Sequence, residues 1–252
     1  MARDFNGSTD RIDYPSAFDT TGQAITIAMW AWFDESAPAT NKYLFNSAIS
    51  GGGAGTIFQQ VGSSTTVLSF VRVGSTLLQL VSDGNDFSTG TWHHVIVTHN
   101  GTMTSAADAH IYVDNGELGY SSTINGATET TANSGFQLGA RASDDLRNHN
   151  GRIAEAGVWN RVISAGERAA LAKGFPPSDF PYLLKFYDPL IRSTGNRRGG
   201  AATLDGTTVI QHPRIIRRVA PWWRPNVAGA APAGGTGHRI IGGGWGGRTI
   251  GA

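Results

Sequence analysis

The sequence predicts an all-β fold with one short helix and an extended C-terminal arm. Three observations predict it. Short segments alternate apolar and polar residues with a period of two, bounded by turn residues. Glycine is abundant, at 34 of 252 residues, while charged residues make up only 15%. That balance suits many short strands and turns better than long helices. After residue 218 the periodicity stops, and a Gly/Ala/Pro-rich stretch with no means of building a core runs to the end.

The elements follow in order. Residues 10–14 form an opening strand after Phe5-Asn6-Gly7-Ser8. Residues 24–33 alternate cleanly, with Ile25, Ile27, Met29, Ala31 and Phe33 on one face and Trp30 and Trp32 on the other. Both faces are apolar, so this strand is expected to be covered on both sides. Pro38 breaks the loop 34–41, and 43–46 is a short strand. The Gly-rich loop 50–55 lacks the Lys-Ser/Thr pair and following helix of a phosphate cradle. Segments 57–61, 67–73 and 77–82 read as a meander with turns at Gly62-Ser63 and Gly74-Ser75.

Residues 92–98 alternate again, placing Trp92, His94, Ile96 and Thr98 together. Segment 111–117 is a strand entering a turn at Asp114-Asn115-Gly116, residues that tolerate positive φ. Residues 121–134 are polar and Thr-rich and read as an exposed connection. The strand 152–160 leads to Ser164-Ala165-Gly166-Glu167, a capping box that opens a short helix. Gly174 and Pro176-Pro177 end it.

The pieces W-H-H-V-I-V-T-H-N-G, I-Y-V-D-N-G, Q-L-G-A and G-R-I-A-E-A-G-V-W-N-R-V-I-S-A-G-E occur in this order, preceded by Phe5-Asn6-Gly7-Ser8 and T-I-A-M-W. Together they resemble the laminin-G-like family of concanavalin A-type jelly rolls, over about residues 3–175. The resemblance implies a two-sheet antiparallel jelly-roll sandwich. It implies no single function, since the fold hosts lectins, adhesion modules, enzymes and structural parts. In the family, a strand of the type L-V-x-Y-x-P-L precedes the F-x-G segment. Here a similar stretch, Leu183 to Leu190 in order, follows the helix, so residues 182–210 are expected to complete a sheet edge of an effectively permuted chain. The expected organisation is a jelly roll over 1–181, a completing segment over 182–218 and an arm over 219–252.

Composition narrows function further. Without cysteine there is no disulfide framework and no thiolate metal site. No apolar leader precedes Phe5 and no run is long enough to span a membrane, so the expectation is a chain made and folded in a cytoplasm. The net charge of +1 conceals an asymmetry. From residue 190 onward nine Arg face one acid, giving +8, whereas residues 1–189 hold 11 bases and 18 acids, giving −7.

Candidate sites follow. Family members bind Ca²⁺ through a G-x-I-D-E segment, but Ala154 stands at the Asp position and only Glu155 matches, so no cofactor is expected. Sandwich glucanases of this fold carry an E-x-D-x-x-E strand, which is absent, so no enzyme is expected. His93, His94, His99 and His110 lie on two strands, and His94 facing His110 would be the start of a metal site, with packing the favoured role. A sugar surface would use Trp159, Tyr120 and the loop 83–86, against a core role for Trp92 and Trp159. In the C-terminal segment, Arg214, Arg217, Arg218, Trp222, Trp223, Arg224, Ile240, Ile241, Trp245 and Arg248 are the candidate partner-binding residues. Their spread disfavours nucleic acid, which dense basic runs bind.

Phage-borne laminin-G-like proteins share Y-x-P-L-I and G-T-T-V-x-x-H-P-R-I endings, found here at 187–191 and 206–215. The resemblance therefore implies a non-enzymatic virion protein (decoration, head-fibre or tail-associated) made in a host cytoplasm. Its partners would be capsid or tail subunits and further copies of itself. The alternative is a carbohydrate-binding adhesion module recognising host glycans.

Overall fold

The computed structural model describes residues 2–15, 22–47, 55–73, 75–127, 135–141, 147–190, 202–211, 213 and 215–216. The chain divides into two units, Met1–Arg217 and Arg218–Ala252. The second lies wholly outside the described residues, as do all ten candidate partner-binding residues of the C-terminal segment.

The strands are β1 (Ala2–Asn6), β2 (Arg11–Tyr14), β3 (Ile25–Phe33), β4 (Lys42–Asn46), β5 (Gly55–Gln60), β6 (Leu68–Val73), β7 (Leu78–Ser82) and β8 (Trp92–His99). They continue as β9 (Ala109–Val113), β10 (Gly116–Glu117), β11 (Tyr120–Ile124), β12 (Phe136–Leu138), β13 (Asn150–Trp159), β14 (Leu184–Asp188), β15 (Thr203–Asp205) and β16 (Thr208–Ile210). One helix, α1, spans Ala165–Ala172. The first sheet runs β10-β9-β8-β3-β13-β1-β16, with β14 also on β13. The second runs β11-β7-β6-β5-β4-β12-β2-β15. All strand pairings within the sheets are antiparallel, and the two sheets make the sandwich that the period-two pattern requires.

The core lies between the sheets. Ile25, Ile27, Met29, Ala31 and Phe33 of β3 face Phe45, Phe58, Phe70 and Leu80 from the opposite sheet within one apolar cluster. Tyr14 stacks on Phe136 at 4.6 Å and meets Phe186 edge-on at 4.8 Å. Aromatic pairs in such offset geometries add about 0.5–1.5 kcal/mol beyond their burial. Arg72, fully buried, is kept by Gln23 O at 3.0 Å and His99 Nδ1 at 2.8 Å.

The segment after the helix joins both sheets. β14 pairs with residues 156–159 of β13, and β1 pairs with residues 150–153 of the same strand, both on the side opposite β3. β14 and β1 therefore run head to tail along one edge of β13, with Asp188 of one approaching Arg3 of the other. β15 then borders β2 and β16 borders β1. The segment is thus part of the two sheets rather than detached from them. One expectation needs correction. Residues 121–124, read as part of an exposed connection, belong to β11, which pairs with β7 with Tyr120 opposite Ser82 and Ile124 opposite Gln79.

Near the β14–β1 junction, β13 bulges between Ala154 and Gly157, and Glu155 sits at φ +50°. The Tyr187 hydroxyl donates to Glu155 Oε2 at 2.5 Å, and the Tyr14 hydroxyl donates to Asp188 Oδ2 at 2.8 Å. All four side chains are buried. Burial raises the Asp188 carboxyl above its usual range, against the Leu190 amide, the Tyr14 hydroxyl and the Arg3 charge.

Candidate functional site

The outer face of the first sheet is divided in two. At one end, Ala28, Ile96, Tyr112 and Trp159 pack beneath Ile163 and Leu171 at α1. The helix is set there by its capping box: Ser164 Oγ accepts from Glu167 N at 3.3 Å and Ser164 N donates to Glu167 Oε2 at 2.8 Å. Arg161 donates two further bonds to Glu167, at 2.8 and 2.6 Å, and holds that carboxyl down at about 2.

At the other end no described helix covers the face. Because β3 alternates, Phe33 and Ala31 go inward while Trp30 and Trp32 go outward. Pairing then aligns one row across five strands: Thr208 opposite Asp4, Asp4 opposite Arg152, Arg152 opposite Trp32, and Trp32 opposite Trp92. At about 4.8 Å per strand the row spans about 19 Å. A second row sets Ala154, Trp30 and His94 side by side.

The three indoles are partly exposed. Trp32 and Trp92 meet edge to face at 5.9 Å, and Trp30 meets His94 at 5.1 Å. The Arg152 guanidinium lies 4.4 Å over the Trp32 ring, and its Nε is 3.3 Å from Asp4 Oδ1. Trp32 Nε1 donates to Asp34 Oδ1 at 2.8 Å. His94 is buried beside Trp30, and desolvation lowers it to about 3, so the imidazole is neutral. The result is a fixed aromatic platform with a polar rim of Asp4, Arg152 and Asp34. Such a surface offers flat apolar area at low ordering cost with hydrogen-bonding groups at its edge.

A family profile described as the concanavalin A-like lectin/glucanases superfamily, of laminin-G type, matches residues 6–167, more than half the chain. The chain belongs to this laminin-G-like family. Among solved structures, it is similar to a candidate carbohydrate-binding protein of Bacteroides ovatus at 17% identity and TM-score 0.55, covering 82% of this chain and 58% of that one. It is also similar to the native heptameric SAP-like pentraxin of Limulus polyphemus, at 12% identity and TM-score 0.45, with 68% and 81% covered. The mouse laminin α1 chain, domains LG4-5, matches at 11% identity and TM-score 0.48, with 62% and 40% covered. No curated protein matches the chain. These likenesses concern the fold.

Within this laminin-G-like sandwich the expected sugar residues are not together. Trp159 is fully buried under α1, its Nε1 donating to Phe180 O at 2.8 Å. The Tyr120 hydroxyl accepts from Ile111 N at 2.8 Å and fixes β11. Asp86 accepts from Leu68 N at 3.0 Å and from Ser82 Oγ, so it holds its own turn. Trp92, expected in the core, instead lies at the end that no described helix covers, and β3 is not covered along its whole outer side.

The histidines have separate duties. Thr98, not His94, stands opposite His110. His93 Nδ1 bonds Asp114 Oδ2 at 2.7 Å, His99 meets Arg72, and His110 Nδ1 meets Glu117 at 2.6 Å. Among the described residues no group of three or more His, Cys, Asp or Glu is placed to hold a metal. At the family's Ca²⁺ segment, Ala154 offers no oxygen side chain and the buried Glu155 carboxylate is engaged by Tyr187. These residues do not fit a hard cation, which takes six to eight oxygens. Among the described residues no helix is long and apolar enough to cross a membrane.

Sequence reasoning missed the platform because it counted Trp30 and Trp32 as covered. The available signal lay elsewhere. Asp4 and Arg152 fall on outward positions of their strands, and charges of that kind mark a face that meets water.

Proposed function

We propose that this laminin-G-like sandwich binds saccharide chains on the Trp30–Trp32–Trp92 platform and does so without chemistry on them. The observation that carries the reading is the row of Asp4, Arg152, Trp32 and Trp92, which sets stacking surfaces and hydrogen-bonding groups in one line about 14 Å long. A sugar ring has an apolar face for an indole and hydroxyls for a carboxylate or guanidinium. Glu155 and Asp188, the acids at the β13 bulge, are buried and hydrogen-bonded, which favours binding over hydrolysis. The fold likeness to a candidate carbohydrate-binding protein of Bacteroides ovatus is consistent with this.

The test is a glycan array with the full chain and the Trp32→Ala/Trp92→Ala double variant. Retained binding by a folded double variant, or a blank array for the parent, would overturn the reading.

The arm supports a second reading. Residues 190–252 carry nine Arg against one acid, with Trp222, Trp223 and Trp245 among them. Such a segment would dock on acidic neighbouring subunits, as in a virion assembled in a host cytoplasm, and Trp and Arg suit interface anchors. Binding of purified particles by the full chain, lost on truncation after Val219, tests it.

A further inference from the structure

We infer that the platform selects uncharged saccharide residues carrying two neighbouring hydroxyls, and that Asp4 and Arg152 read those hydroxyls as a pair. The inference rests on the platform reading above and adds the class of sugar that it admits.

The pair is built by register. Asp4 stands opposite Arg152 across β1 and β13, and Arg152 stands opposite Trp32 across β13 and β3. Arg152 is held on two sides. Its Nε lies 3.3 Å from Asp4 Oδ1, and its guanidinium lies 4.4 Å over the Trp32 ring. The indole fixes the plane of the guanidinium and the carboxylate fixes its rotation. An arginine on a strand surface otherwise samples many rotamers, so part of the ordering cost of binding is met before a ligand arrives. The two side chains are 29% and 41% exposed, so the pair still meets water.

Hydrogen-bonding capacity remains on both partners. Among the described residues, Asp4 Oδ2 and Arg152 Nη1 and Nη2 make no hydrogen bond. The carboxylate accepts from a hydroxyl and the guanidinium donates to one. Two hydroxyls on adjacent ring carbons match this arrangement, one as donor and its neighbour as acceptor. Bonds to charged groups are the stronger kind. A sugar lacking either hydroxyl leaves a charged group short of a partner, which is the condition for sharp discrimination.

Charge then decides the class. The rim has two acids, Asp4 and Asp34, and one cation, Arg152. Asp34 is seated by the Trp32 indole, whose Nε1 donates to its Oδ1 at 2.8 Å. Arg152 is already balanced by Asp4. A ligand carboxylate or sulfate therefore meets a neutral pair with a second acid nearby, and like charges brought together oppose binding. A ligand ammonium placed on the pair meets the guanidinium. An uncharged residue avoids both conflicts and keeps every hydrogen bond.

The experiment is an array of gluco-, galacto- and manno-oligosaccharides probed with the full chain at constant ionic strength. Each backbone is printed in four forms: native, oxidised at C6 to the uronate, 2-amino, and O-methylated. Native forms should bind best. The uronate and amino forms should bind at least about tenfold more weakly, and binding to the O-methylated form should be lost. Asp4→Asn leaves Arg152 as an unbalanced cation. That variant should reverse the order of the native and uronate forms, and its uronate binding should fall with added salt. Arg152→Lys keeps the charge but loses the flat two-nitrogen edge, so native binding should drop about tenfold with no gain for a charged form. A parent that prefers a charged form, or that tolerates O-methylation, overturns the inference and leaves the platform reading standing. An unchanged ranking in folded Asp4→Asn also overturns it. A blank array for the parent overturns both.

Discussion

The Tyr14 hydroxyl donates to Asp188 Oδ2 at 2.8 Å across the sandwich, from β2 of one sheet to β14 of the other. Both groups are buried, and burial pushes the Tyr14 phenol well above its ordinary range, with the neighbouring Asp188 charge adding to it. Tyr14→Phe removes the donor and leaves a buried carboxyl short of a partner. The variant should lose about 1–3 kcal/mol in urea unfolding. Asp188→Asn, which keeps an acceptor oxygen, should lose less.

Acid should unfold the protein before its carboxylates are fully protonated. His94, His99 and His149 are buried bases lowered to about 3, 4 and 4, each chiefly by desolvation. Their ordinary value is 6.5, so the unfolded chain takes up protons below that pH while the native chain does not. Stability is therefore full above 6.5 and falls as pH drops toward 4, by on the order of a few kcal/mol per site. His93 has the opposite sign. Its bond to Asp114 raises it, so its contribution is present below 6.5 and fades as pH rises through the native value. Three sites against one predict a net loss in acid, readable as the unfolding midpoint between pH 7 and 4.

Gly151 is a position where no other residue fits. Its φ is +140°, and a Cβ there would lie 2.0 Å from the Trp32 carbonyl oxygen, which is backbone of the paired strand. Gly151→Ala should destabilise by about 3 kcal/mol or more. The thermal midpoint of the purified variant checks this.

The platform indoles should matter for binding far more than for folding. Trp32→Ala should weaken saccharide affinity about thirtyfold, the scale of a ~2 kcal/mol anchor. The unfolding free energy should shift by much less than that of Tyr14→Phe.

Much of the fold was legible because its determinants are local. The alternation of β3 and β8, the positive-φ pair Asp114-Asn115 and the Ser164–Glu167 box are all set within a few residues. The platform was not, because it depends on register. Nothing near Trp32 reveals that Arg152 and Trp92 stand beside it, and a one-residue slip would turn each to the other face. Glu155 was also beyond reach. Its sequence context suggested a ligand, whereas the bulge of β13 turns it to Tyr187. β11 escaped because an edge strand needs only backbone bonds, which polar residues supply as well as apolar ones.

The head-to-tail meeting of β14 and β1 has a consequence for synthesis. β1 is far from its partners along the chain: they are Ile153 and its neighbours in β13 on one side and Val209 and its neighbours in β16 on the other. A growing chain can pair β1 with β13 once about residue 153 has emerged, and with β16 only after about residue 210. Until β16 is available one side of β1 stays unpaired, so closing this end of the first sheet is a late, long-range step rather than a local one.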